Sequence, residues 1–423
     1  MKNQLISILI VAMACGTAWA IRGQFGHEQG AAWAGGIFAL ALILVSKRKD
    51  WYSKIFSIAM ASAVGWGAGG MISYGQVVGY GRSSSFPNAF YGLVMLLVIG
   101  GLYGILGGGL VGLTLESSKE KKINWGALLA EMIAGGVLGY YLFIVQFEWL
   151  MTPPREEMWS VCLGAGLALL WHMARNNYAS SLRVSLCSAL GAGFGFAFGN
   201  FLQTLGTGLE IQFNMWNVME YSIGFFGGIG MAYGVFSSVW PEETSVSERW
   251  ESRIAILAVF VAIPFINLMD SMGYHTLMER IKDPVNPETT AMLSTLFGTL
   301  IIFSVATIGY YKYTKVRSGF ERKDVLFLFI VYLASYISVS YIVSGVFAGR
   351  FPSNHQLYWV NFIVILWLAG KQFNPFGGAL VKEMNVNRWL LFLIGAIIVI
   401  LFLAFISVNT HGLMGGAHER FPI

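Results

Sequence analysis

Three side chains able to bind an anion or move a proton fall within seven residues, Arg22, His27 and Glu28, in the stretch RGQFGHEQGAAWAGG from Arg22 to Gly36. A guanidinium is a planar fork that meets a carboxylate, phosphate or sulfate with two parallel hydrogen bonds. A histidine beside a glutamate adds a general acid or base. The segment Gly415 to Pro422 repeats the pattern, with Ala417-His418-Glu419 answering Gly26-His27-Glu28, Arg420 next in line and His411 just before. Arg82 and Arg350 form a second related pair: Ser73-Tyr74, Gly81-Arg82 and Phe86-Pro87-Asn88 match Ser340-Tyr341, Gly349-Arg350 and Phe351-Pro352 with Asn354. The expected solute-binding set is therefore Arg22, His27, Glu28, Arg82, Arg350, Asn354, His411, His418 and Glu419.

Each feature also has a plainer reading. An arginine at membrane depth can simply neutralise a nearby glutamate, and the histidines can be hydrogen-bonded interfacial residues. Neighbours in sequence do not share a helix face, and His-Glu-x-x-His spacing is absent. A metal site would need His27, His275, His411 and His418 drawn from separate segments, so neither metal nor cofactor is expected. Acids inside apolar runs are expensive and are functional candidates by default. Asp270, beside Ser271 and His275, and Glu131, two turns inside its run, are the expected ion-coupling groups; Glu220 lies close to the end of another run.

These groups are delivered by long apolar runs. With 423 residues, 56% hydrophobic, 12% charged and a mean hydropathy of +0.63, the chain is far below the charge content of about 25% usual in soluble domains. Runs long enough to cross about 30 Å of hydrocarbon number thirteen: 4–21, 29–46, 53–75, 90–114, 125–147, 158–174, 184–204, 216–237, 253–272, 290–311, 324–347, 356–370 and 389–408. The 51 glycines suit close helix approach. Continuous rather than alternating runs exclude a β-barrel. Cys15, Cys162 and Cys187 all lie in apolar runs and form no disulfide framework or metal spacing. The first run, with Lys2 and Ala18-Trp19-Ala20, resembles a signal peptide; the topology requires that it be a retained helix.

Basic residues mark the orientation. Twenty of the 27 fall on alternate loops that include Lys47–Lys54, 119–122 and 312–323, leaving Arg22, Arg82, Arg155, Arg280, Lys282, Arg350 and Arg420 opposite. By the positive-inside rule the N-terminus is cytoplasmic and the C-terminus outside, in a cell (inner) membrane. Five of the six histidines then share the outer face with those seven basic residues.

The loop match between the third and eleventh runs implies a four-helix repeat, in units 1–116, 117–245 and 246–385, with 386–423 beginning a fourth. Ser62-Ala63-Val64-Gly65 matching Ser188-Ala189-Leu190-Gly191 marks the middle copy. Four helices return the chain to the same side, so the copies are parallel. A closing array would bring His27 and Glu28 near His418 and Glu419.

The fold expected is an all-α integral membrane protein of one polytopic domain, about thirteen transmembrane helices in tandem four-helix repeats. The function expected is a permease binding a small polar, anionic solute from the outer face. The alternative is a membrane-embedded transferase or hydrolase with His27, His411 or His418 as base; a third reading is a structural or assembly subunit. Expected partners are the bilayer and the solute, with a homo-oligomer compatible and no nucleic acid, because the basic residues are topological.

Overall fold

In hydrocarbon every backbone N–H and C=O must be satisfied within the chain, so long apolar runs can only coil. The computed structural model describes residues 2–153, 157–242, 249–281, 285–315, 320–350, 352–371 and 385–421, and every regular element among them is helical. In order these are α1 (Lys2–Arg22), α2 (His27–Ser46), α3 (Lys49–Ser53), α4 (Ile55–Gly69), α5 (Gly75–Gly81), α6 (Phe86–Glu116), α7 (Trp125–Gly139), α8 (Trp159–Arg175), α9 (Ala179–Gly208) and α10 (Met215–Phe236). They continue with α11 (Arg249–Ile256), α12 (Ile263–Ser271), α13 (Tyr274–Arg280), α14 (Pro287–Lys315), α15 (Arg322–Val343), α16 (Ser353–Lys371) and α17 (Val386–Thr410). A π-helical turn prolongs α7 over Tyr140–Gln146, and another, Leu257–Ala262, joins α11 to α12.

All thirteen apolar runs fall on helices, but nine helices among the described residues are long and apolar enough to cross a membrane. The other four depart for visible reasons. Helix α4 has only 15 residues, ending at Gly69 before a turn into the short α5. Helices α8, α10 and α16 carry His172 and Arg175, Asn217 and Glu220, and Asn354, His355 and Asn361, which lower their hydropathy.

Helix α2 lies at the centre, 94% of its apolar window being buried, against 17% for α7 and α17, which therefore form the periphery. It packs on α1, α4 and α15, and the pairs α1–α10, α10–α9, α9–α6 and α6–α4 extend the bundle with backbones in close contact. A Cβ on Gly104 of α6 would stand 2.3 Å from the Ser188 carbonyl oxygen of α9, and one on Gly224 of α10 would stand 2.2 Å from that of Cys15 in α1. The contact surfaces exist because those side chains are absent.

The residues matched in the expected repeat differ in their surroundings. Ser62 and Ser188, matched in sequence, each face a glycine of another helix, Gly35 and Gly104 respectively. Gly35 lies on α2, the helix before α3 and α4 in the same expected unit, whereas Gly104 lies on α6, in the expected unit before that of Ser188. The matched loops also differ. Residues 75–81 form a helix, while Val346–Ala348 make one 3-10 turn between Gly345 and Gly349, both with positive φ (91° and 73°). Such left-handed backbone is accessible to glycine at little cost.

Candidate functional site

Among the described residues the most deeply buried charge is Arg22. It ends α1, and the turn Gly23–Gly26 folds the chain back so that α2 begins at His27. The approach is tight at Gly30 and open at Gly23. A Cβ at Gly30 would lie 3.0 Å from the Arg22 Cγ, and one at Gly23 would lie 3.7 Å from Glu220 Cγ. The arginine is 1% exposed, Tyr74 2% and Glu220 6%.

These three close a triangle. Arg22 Nη2 donates to Glu220 Oε2 at 2.8 Å and to the Tyr74 hydroxyl, which donates in turn to Glu220 Oε1 at 2.7 Å. Arg22 Nη1 stands 3.2 Å from His27 Nδ1. The guanidinium carbon lies 5.0 Å from the Trp19 ring centroid and 5.4 Å from that of Tyr74, within cation–π range. Beneath it Trp19, Phe38, Trp66 and Tyr103 meet edge to face or tilted. Burying both charges is tolerable only because each faces the other and the carboxylate has a further donor in Tyr74. Arg22 Nε has no hydrogen-bond partner.

A seam of polar side chains leads away from this point along α1, α10 and α16. Gln24 Nε2 meets His355 Nε2 at 2.6 Å and its Oε1 accepts from Ser340 at 2.9 Å. Asn217 donates to the Tyr358 hydroxyl, Asn354 donates to the same oxygen at 3.3 Å, and both Asn217 and Tyr358 reach the Ala20 carbonyl. One turn further along α16, Asn361 donates to Thr17, within α1, and to Tyr221.

Beside α5 a second buried patch lies on one face of α9: Asn200 Oδ1, Gln203 Nε2 and Thr204 Oγ1 are buried without partners, and Asn200 Nδ2 donates to the Val78 carbonyl. The chain end crosses this same region. His418 N donates to Gly79 O at 2.9 Å, and Asn88 Oδ1 accepts from the backbone of Arg420 (2.7 Å) and Phe421 (2.8 Å).

The expected residues are distributed as follows. Arg22 is the centre and His27 its solvent-facing neighbour; Glu28 is exposed on the first turn of α2. Asn354 is buried in the polar seam. Arg82 is half-buried, its guanidinium 5.2 Å from the Trp216 centroid and within 3.4 Å of Gly415 O, so it faces the chain end rather than Tyr74. Arg350 is exposed, with its stem against Gly345. Tyr74 and Tyr341 nevertheless both sit edge-on to a histidine, His27 and His355.

His411 lies near Ser407 and Gly208, and His418 and Glu419 are exposed. His27 packs on Tyr74, at the start of α5, and His418 on Gly79 and Tyr80, at its far end. Asp270 is exposed and accepts from Gln29 at 2.8 Å. Glu131 sits away from all of these, paired with His172 at 2.9 Å and Arg175 at 2.5 Å. Arg155 lies outside the described residues.

Sequence reading left two elements of the site undefined. Glu220 gave no sign of being the partner of a residue 198 positions away. The α9 patch did leave a signal, since Asn200, Gln203, Thr204 and Thr207 follow the i, i+3, i+4, i+7 spacing of one helix face. Comparison with known proteins finds no family model, no curated protein and no solved structure that matches this chain.

Proposed function

We propose that the protein is a permease for a small anionic solute, with Arg22 as the anion-binding group and Glu220 as its exchangeable counter-ion. The observation that carries this reading is the buried Arg22–Glu220–Tyr74 triangle, at the head of a polar seam that runs as far as Thr17 and Asn361. We read α4, α8, α10 and α16 as crossing together with the nine long, more apolar helices, in tandem units, with the Arg22 end outside.

The chemistry follows from charge balance. While Glu220 is ionised it is the counter-ion of the guanidinium, accepting from Arg22 Nη2. A proton on Glu220 neutralises it, and a monoanion such as a monocarboxylate or dihydrogen phosphate can then take its place on Arg22 without changing the net charge of the buried site, whereas a dianion such as sulfate would have to bring a second proton. Anion and proton therefore enter together, and an inward acid gradient drives uptake. Helix α5 and the chain end pinned to Gly79 and Asn88 cover the patch beside the site, so their displacement is the opening step. On this reading Glu220, rather than Asp270 or Glu131, couples the ion. Asp270 is exposed, and Glu131 is already held by His172 and Arg175.

A second reading is favoured by the same pairing: Glu220 already satisfies Arg22, as it would in a purely structural ion pair. Proteoliposome uptake of small carboxylates, phosphate and sulfate, with and without an inward acid gradient, separates the two. The transport reading expects gradient-driven uptake of one anion class, lost in Arg22→Lys because the bidentate fork is gone. It expects Glu220→Gln to retain anion binding but lose the response to the gradient. No uptake of any tested anion, or unaltered driven uptake in both variants, overturns it.

A further inference from the structure

At the opposite end of the bundle Lys54 is 4% exposed and donates to two carbonyl oxygens, Thr114 O and Ser117 O, each at 3.1 Å. It stands at the mouth of a cavity of about 360 Å³ whose rim also carries Lys122, Trp125, Trp250 and Glu251. A second cavity of about 560 Å³ continues from it, sharing Val64, Leu110 and Leu129, and runs between α4, α6, α7 and α8 to Met71. Its lining is apolar throughout apart from two tyrosines, Tyr140 and Tyr141. The two form one crevice with a cationic mouth and a hydrocarbon interior.

We propose that this crevice binds a phospholipid with an anionic headgroup, its phosphate between Lys54 and Lys122 and an acyl chain along α4. Length agrees. From Lys54 to Met71 the helical rise amounts to roughly 25 Å, more than the roughly 15 Å depth of one leaflet's hydrocarbon. The crevice opens sideways, where Val64, Leu129, Ile133 and Val137 are about half to two-thirds exposed (50%, 49%, 67% and 53%). Trp125 and Trp250 stand where tryptophan is enriched, at the membrane–water boundary. Two lysines against one glutamate leave the mouth net positive, the complement of a phosphodiester whose headgroup carries no compensating cation. On the proposed topology this end is cytoplasmic, where anionic lipids attract basic residues. A soluble anion would leave the apolar interior unfilled.

The test is native mass spectrometry of the full chain in detergent micelles, with phosphatidylglycerol and phosphatidylcholine added in equal amounts. Phosphatidylglycerol should be retained over phosphatidylcholine. Lys54→Gln and Lys122→Gln should each lower its occupancy about fivefold. Val64→Trp, placed where the two cavities meet, should lower occupancy by both lipids. Lys122 and Val64 lie at the exposed rim, so these two variants carry the test if Lys54→Gln does not fold. Equal retention of the two lipids overturns the proposal. So does phosphatidylglycerol occupancy unchanged in Lys122→Gln and Val64→Trp, or competition by soluble glycerophosphate as effective as by the intact lipid.

Discussion

Removing one partner of a buried ion pair costs far more than removing both, because the remaining charge has no water to return to. Glu220→Ala should therefore destabilise the protein by about 3–5 kcal/mol, read as a shift in the unfolding midpoint in micelles. Arg22→Met combined with Glu220→Leu should restore most of that loss, while any anion-dependent stabilisation disappears. A double variant as unstable as Glu220→Ala alone would mean that the pair is needed for folding itself. At this scale Arg22 and His27 were legible because arginine and histidine are conspicuous at the end of an apolar run. Glu220 was not, since pairing across two helices leaves no periodic trace in either. Arg82 and Arg350 illustrate the converse: their sequence context matches closely, yet the backbone is helical before one and a glycine-flanked 3-10 turn before the other, so one is half-buried and the other exposed.

Helices in a bilayer have little hydrophobic reason to associate, and here contact depends on missing side chains. Two neighbouring glycines of α6 offer a controlled comparison. At Gly104 an added methyl would stand 2.3 Å from the Ser188 carbonyl oxygen, whereas at Gly101 the nearest atom would be the Ala189 carbonyl oxygen at 3.8 Å. Gly104→Ala should push α6 from α9 and cost about 1–3 kcal/mol, the range for overpacking. Gly101→Ala should be neutral or stabilising, alanine being the better helix former. Equal unfolding midpoints for the two variants would show that α6 and α9 are not held by this contact. Glycine abundance was readable from composition, but which glycines lie on a seam was not, because these helices are apolar on every face and offer no moment to orient them.

The class of the whole molecule follows from its composition, as nine long apolar helices among the described residues, with large apolar side chains exposed on α7 and α17, bear out. Its orientation rests on the distribution of basic residues. Lys49 and Glu419 are both exposed, so single cysteines there report on the two ends. A membrane-impermeant maleimide applied to intact cells should label Glu419→Cys and not Lys49→Cys. The reverse pattern would invert the topology and place the Arg22 site on the cytoplasmic face. Cys15 and Cys162 are buried and Cys187 half-buried, which keeps the native background low.

The pairing of Arg22 with Glu220 has a consequence for biosynthesis. The arginine leaves the ribosome with the first helix, and its counter-ion follows 198 residues later, about 10–40 s at ordinary elongation rates. For that interval the first helix cannot settle at its final depth with an unneutralised guanidinium; it must keep Arg22 at the lipid headgroups, where a long cationic side chain snorkels to water. A nascent chain arrested before α10 should accordingly leave a Phe25→Cys thiol, with Arg22 kept, open to aqueous maleimide, and one arrested after Phe236 should protect it, Phe25 being buried in the finished fold. Helix α1, made well before α10, then reaches its native position only after α10 has been inserted.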